Sequence, residues 1–272
     1  MKIKKILNNN AVVVSDNNEE KIAIGGGIAF QKKKNDIINP GKIEKLFVMK
    51  GNEKFQQLLL QIPEEHFTLS EEIITYAEDS LGCKLNDHIH IALTDHLSFA
   101  IERVRDGINL KNKLFHEIKI LYKKEFEIGM WALRHIEKKT TIKMPADEAA
   151  FIALHLHTAN LNGGDMKQTL RQTAIIGDMV QIIKDDLNIE IDEDDLSYQR
   201  LMTHLRFAIS RISNGEPNTI DDEMLKMITN KFPTAYNCAK KVAKELSQNH
   251  AIQLPEHELG YLTLHIERLR KR

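Results

Sequence analysis

Residues 93–104 read LTDHLSFAIERV and residues 201–212 read LMTHLRFAISRI. One histidine-centred stretch thus occurs twice, with His96 and His204 in the same frame. A second correspondence follows: MPADEAAFIALH (144–155) matches LPEHELGYLTLH (254–265), with a proline ten residues before His155 and before His265. An apolar helix face can recur by packing alone, but packing does not demand an imidazole in both copies.

Histidine offers two chemistries here. The first is metal binding, for which HIH (88–90), HLH (155–157) and His96 are a suggestive collection. On a helix, residues i and i+2 point about 200° apart, so these are not one-face chelates. Neither triplet recurs in the second copy, and no cysteine or acidic cluster completes a set. No metal, cofactor or catalytic residue is expected. The second chemistry is phosphoryl acceptance. A neutral ring nitrogen is a good nucleophile near neutral pH, since imidazole titrates near ~6.5. The product adds roughly two negative charges and three acceptor oxygens, which arginine captures well. Arg200 lies four residues before His204 and Arg268 three after His265, while Arg103 lies seven after His96. These three arginines are the candidates to stabilise a phosphate, and the second copy looks the better equipped.

The elements that must carry these residues are helical. From Glu53 onward, EEIITYAEDSL, HIHIALTDHLSFAIERV, FEIGMWALRHIEKK and DEAAFIALHLHTA place apolar residues at helical spacing. TAIIGDMVQIIKDDL resumes it after NGGD at 162–165. We read two copies of one all-α helical-bundle domain, 64–168 and 169–272, with a linker near 50–65 and a boundary near 163–170. The first fifty residues differ. KIKKIL, AVVV, KIAI, IAF and KLFVM are short and rich in Val and Ile, with NNN, DNNEE, GGG and NPG between them. They predict a small antiparallel β-sheet, with DNNEE as a hairpin loop. So small a sheet buries little apolar surface alone, and dimerisation through one face would supply the missing core.

Charge separates the same two regions. Net charge over 272 residues is -1, yet the first fifty hold ten lysines against five acids. A basic head on an acidic body suggests an anionic partner such as nucleic acid. Cys83 and Cys238 sit in no paired pattern, which argues against a disulfide framework. No apolar run nears the ~18 residues that span a bilayer, and no leader-like h-region opens the chain, so a cytoplasmic protein without membrane insertion is expected.

The motifs as a set resemble the BglG/SacY family of bacterial transcriptional antiterminators. MKIKKILNNNAVVV and GGGIAFQKKKND are similar to its RNA-binding co-antiterminator domain, here 1–56. DHLSFAIER, DEAAFIALH, THLRFAISR and ELGYLTLHIER are similar to the signatures of its two phosphotransferase-regulation (PTS-regulation) domains. IAFQKKKND, HIHIALTDHLSFAIERV and IALHLHTA look closer to the sucrose-responsive branch. The resemblance implies a homodimer that binds a hairpin in a nascent mRNA leader and keeps a terminator from folding upstream of sugar-utilisation genes. It implies phosphorylation at His96, His155, His204 and His265 by the carrier HPr and a sugar-specific enzyme II, activating in the second domain and inhibiting in the first. Family RNA contacts carry over to Lys5, Asn10, Gly25, Phe30 and Gln31. Phe30 is suited to stacking on a base, Asn10 and Gln31 to reading base edges, Lys5 to phosphate, and Gly25 to close backbone approach. Gly26 stands where many members carry arginine. Two rival readings remain at this stage: a metal-dependent enzyme using His88 and His157, and a regulated DNA-binding activator with a helix-turn-helix head.

Overall fold

A computed structural model of the chain describes residues 1–16, 19–48, 61–160, 165–192, 195–214 and 220–271. Four antiparallel strands open it: β1 (Lys2–Asn8), β2 (Ala11–Asp16), β3 (Glu19–Ile24) and β4 (Lys45–Val48), in sheet order β1-β2-β3-β4. Alternation is regular in β2 and β3, whereas the pairing of β1 with β2 shifts register twice. Ala11, Val13, Ile22 and Ile24 face one side, and Val12, Val14 and Ala23 the other, as a period of two demands. Both faces are covered. Ile28, Ala29 and Ile38 close the second face. Phe67, with Ile62 and Ile91, packs on the first. The core that a bare sheet lacks is thus supplied within the chain, and the case for dimerisation from sheet size loses its premise.

One expected strand is absent. IAF (28–30) forms a turn, because Gly27 at φ +61 bends the chain and Phe30 N–H donates back to the Gly27 carbonyl. Ile28 and Ala29 are buried by that turn while Phe30 is thrown outward. The centre of the expected DNNEE loop, the expected linker through residue 60 and most of NGGD lie outside the described residues.

Ten helices follow among the described residues. The first five are α1 (Glu64–Leu81), α2 (Ile89–Arg105), α3 (Phe115–Leu121), α4 (Lys123–Thr140) and α5 (Asp147–Asn160). The second five are α6 (Met166–Leu187), α7 (Leu196–Asn214), α8 (Asp222–Lys231), α9 (Pro233–His250) and α10 (Glu256–Arg270). The two sets follow one order of long and short helices. Boundaries follow local chemistry. Gly82 closes α1 in the left-handed conformation, and the Asp165 carboxylate caps α6 by accepting from Lys167 N–H. Chain contacts form two units, Met1–Leu110 with Glu127–Gly163, and Lys111–Phe126 with Gly164–Arg272. Helix α3 therefore packs with α6 and α7: Tyr122 Oη meets Thr173 Oγ1 at 3.0 Å, and Arg206 donates to the Leu121 carbonyl at 2.9 Å. Cys83 and Cys238 are both free. Among the described residues, no helix is long and apolar enough to cross a membrane.

Within the first unit, α4 and α5 meet at Gly129, where an added Cβ would stand 2.4 Å from the Ala149 carbonyl oxygen. Backbone cannot yield there without moving the start of α5. Gly129→Ala is expected to destabilise the protein by about 1–3 kcal/mol through overpacking, despite alanine's better helix propensity. Calorimetry should show a lower melting midpoint, and an unchanged or higher one would contradict the packing described.

Candidate functional site

Both repeats build one constellation. In the first, α2 carries His96 and Arg103, seven residues apart, and α5 carries Glu148, Phe151 and His155. In the second, α7 carries His204 and Arg211, also seven apart, and α10 carries Glu258, Tyr261 and His265. Seven residues are nearly two full helical turns, so each pair shares a face. The prolines seen in the sequence set the frame. Glu148 N–H donates to the Pro145 carbonyl and Glu258 N–H to the Pro255 carbonyl, opening α5 and α10. Each glutamate then falls in a helix's first turn, where the helix dipole favours an anion.

The geometry matches pair by pair. The His96 and His155 rings lie 5.0 Å apart, and the His204 and His265 rings 4.7 Å apart. Glu148 is 0% exposed, and Arg103 Nη2 donates to its Oε1 at 2.5 Å. Glu258 is 1% exposed and receives Arg211 as a fork, with Nη2 donating to both carboxylate oxygens at 2.7 and 2.9 Å. His96 Nε2 stands 3.2 Å from Glu148 Oε2, and His204 Nε2 stands 3.6 Å from Glu258 Oε2. The first contact is in ion-pair range but off the line of a formed hydrogen bond, and both of its atoms are enclosed.

Three of the four rings are held neutral. Burial, with His96 and His88 nearby, lowers His155 to about 3. Burial and Arg211 lower His204 to about 4. Burial, the neighbouring His204, Arg268 and Arg200 lower His265 to about 4. Burial pushes Glu148 upward, but His96 and Arg103 outweigh it and hold the carboxyl below its usual range. The first site therefore offers a neutral His155, and the second a neutral His204 and His265, beside a buried carboxylate.

The predicted arginines divide. Arg200 and Arg268 are exposed, and both contribute to the lowering of His265. Arg103 is instead committed to Glu148. Its counterpart Arg211 and the two glutamates went unread in the sequence, although FAIER and FAISR repeat the arginine, and both DEAAFIALH and HELGYLTLH hold a glutamate seven residues before the histidine. The register also repeats an exposed aromatic, Phe99 and Phe207.

In the head, the turn at 8–11 and the turn at 25–31 are stitched together. Gly25 N–H donates to the Asn10 carbonyl, Ala29 N–H to the Asn9 carbonyl, and Gly27 N–H to Asn10 Oδ1 at 2.7 Å. Asn10, Gly25, Phe30 and Gln31 thereby share one loop cluster, while Lys5 is exposed along β1. Phe30 is 61% exposed, and Gln31 sits at φ +57. Gly25 has a purpose the sequence did not reveal: a Cβ there would lie 1.7 Å from the Lys42 carbonyl oxygen, so the close backbone approach it permits is to its own chain. Gly26 N–H donates to Glu44 Oε1. The other Asn10 group, Nδ2, donates to Thr68 of α1 at 3.2 Å.

Among the described residues, no three or more His, Cys, Asp and Glu side chains are arranged to hold a metal ion. His90, within HIH, is bound to Glu71 through Nδ1 at 2.6 Å and to Lys45 through Nε2 at 2.8 Å. The head is a sheet, with no helix-turn-helix in its described residues.

Neutral burial has a pH consequence. The unfolded chain binds protons at these histidines below pH ~6.5, while the folded chain refuses them until about pH 3–4. Their contribution to stability is complete above pH ~6.5 and falls as pH drops toward 4. The urea midpoint is expected to decline between pH 7 and pH 5, and His204→Gln should flatten that decline. A midpoint independent of pH would contradict the burial described.

Comparison with known proteins places both regions. Residues 1–56 match the CAT RNA binding domain family, and residues 71–159 and 177–269 each match the PRD domain family. The chain is 43% identical to the transcription antiterminator LicT of Bacillus subtilis, over 100% of this chain and 99% of that protein. It is 40% identical to the beta-glucoside operon antiterminator of Dickeya chrysanthemi, over 99% and 97%. The crystal structure of GlcT CAT-PRDI superposes with a TM-score of 0.55 at 36% identity, covering 59% of this chain and 98% of that one. A basic sheet matched by an RNA-binding family, followed by two matched histidine-bearing helical repeats, makes this chain a member of the BglG/SacY family of transcriptional antiterminators.

Proposed function

We propose that this antiterminator binds a hairpin in a nascent mRNA leader through the loop cluster of its head, and that phosphorylation of His96, His155, His204 and His265 governs that binding. The observation that carries the reading is the duplicated constellation: two histidine rings at 5.0 and 4.7 Å, each pair beside a buried glutamate–arginine clamp. The donors are HPr and a sugar-specific enzyme II of the phosphotransferase system. Phosphate on the second repeat activates, helped by Arg200 and Arg268, and phosphate on the first repeat inhibits. The protein acts as a homodimer in the cytoplasm, where nascent mRNA is found. The exposed Phe99 and Phe207 support a dimer contact that runs beside the modified rings. A phosphate buried there without cationic partners repels its surroundings, whereas one held by arginine closes the contact.

In the head, Phe30 is the base-stacking residue, with Lys5, Asn10, Gln31 and the Gly25 turn around it. The motifs of the chain favour sucrose as the sugar. A second reading, a β-glucoside, rests on the name of the relative from Dickeya chrysanthemi. Reporter read-through in strains lacking one or the other sugar transporter separates the two.

Phe30→Ala is expected to weaken binding to a leader hairpin about 5- to 150-fold, the loss of one base stack, without lowering stability, since the ring is largely outside the core. Gel-shift with the full chain reads the first effect and thermal melting the second. Unchanged affinity would remove Phe30 from the interface. For the sensors, light scattering of His96→Asp and His204→Asp should show a weaker dimer for the first and a tighter one for the second. Identical dimerisation would count against opposite responses of the two repeats.

A further inference from the structure

The glutamate of each clamp does more than satisfy an arginine. Glu148 Oε2 has no hydrogen-bond partner and is enclosed, and it faces His96 Nε2, which is likewise enclosed and unpartnered. In the second repeat Nε2 of His204 is again enclosed and unpartnered, as is Nδ1 of the neighbouring His265, and the His204 nitrogen again faces Glu258. A carboxylate accepts hydrogen bonds and cannot donate them. Were Nε2 unprotonated, two lone pairs would face each other in a buried site, at a cost no other contact offsets. A ring that carries a single proton therefore carries it on Nε2. The nitrogen left with a free lone pair is Nδ1, and the enclosed nitrogen is not the one that an incoming donor reaches.

We propose that Glu148 and Glu258, each clamped by its arginine, are positioning residues that hold the Nε2 proton of His96 and His204 and so direct phosphoryl transfer to Nδ1. The inference rests on the reading of these histidines as phosphoryl acceptors and adds the atom that accepts.

The step balances without a further reactant. The Nδ1 lone pair attacks the phosphorus of a donor phosphohistidine whose second ring nitrogen carries a proton. The donor's P–N bond breaks, and its electron pair returns to the donor ring, which leaves as neutral imidazole. The acceptor ring keeps its Nε2 proton, so positive charge develops on it as the new N–P bond forms. That charge arises against a fixed carboxylate in a water-poor site, where such preorganised stabilisation acts most strongly. Arg103 and Arg211 fix the direction of the glutamate, as a carboxylate fixes the tautomer of a catalytic histidine in hydrolases. Carboxamide in place of carboxylate would fill the same volume but present a donor as readily as an acceptor, releasing the tautomer.

The test uses the full chain and two phosphoryl sources, phosphorylated HPr and potassium phosphoramidate, with NMR of the modified imidazoles to identify the nitrogen bearing phosphorus. Wild type is expected to carry the group on Nδ1 of His96 and His204 with either source. Glu148→Gln and Glu258→Gln are expected to slow modification of the facing histidine about tenfold or more and to place part of the group on Nε2. Attachment to Nε2 in wild type, which needs no variant to fold, overturns the inference and leaves the acceptor reading standing. So does an unchanged rate and isomer in both glutamine variants. No modification of His96 or His204 by either source overturns the acceptor reading, and this inference with it.

Discussion

A carboxylate removed from water between a guanidinium and an imidazole is the constraint around which each sensor repeat is arranged. Burying one charge costs several kcal/mol, and breaking a buried pair by removing one partner costs about 3–5 kcal/mol. Glu148 and Glu258 are tolerable only because Arg103 and Arg211 meet them from the facing helix and because each sits in a helix's first turn. Those requirements fix the rest. The arginine must stand two turns from the first histidine on one face, and the proline must set where the second helix starts. The close approach of α4 to α5 at Gly129, one residue from Glu148 in its contact with Ala149, holds that start in place. His155, His204 and His265 are packed tightly enough to stay neutral, and neutrality is what leaves a lone pair for chemistry.

The sequence displayed much of this, unevenly. Strand and helix periods were plain in AVVV, KIAI and the long helices, because each buries one face or two against a continuous core. IAF misled because its composition is that of a strand, whereas the neighbouring Gly27 decides the backbone. The histidine pairs were legible from recurrence. The glutamates were not, since Asp and Glu in the first turn of a helix ordinarily reflect the dipole and solvent, and only burial to 0% and 1% reveals a different duty. Arg103 was recognised as a cation near a histidine, but its destination depends on which side chain faces it across two helices. Packing between distant segments is the information that periodicity lacks.

The head shows the same division. Its loop cluster is assembled by backbone hydrogen bonds between the 8–11 and 25–31 turns, a pairing no local motif announces. Gly25 is required by the Lys42 carbonyl beside it, so the glycine run serves the fold before it serves any ligand. Asn10 is shared: its carbonyl and Oδ1 hold the glycine turn, while Nδ2 reaches Thr68. The described sheet buries both faces, which leaves its edges and turns as the accessible parts.

Segment 111–126 belongs by sequence to the first repeat and by contact to the unit of the second. Tyr122 finds Thr173 fifty-one residues later, and the Leu121 carbonyl finds Arg206 eighty-five residues later. On a ribosome adding roughly 5–20 residues per second, α3 waits several seconds for these partners. Helix α3 therefore completes its packing only once α6 and α7 have been synthesised.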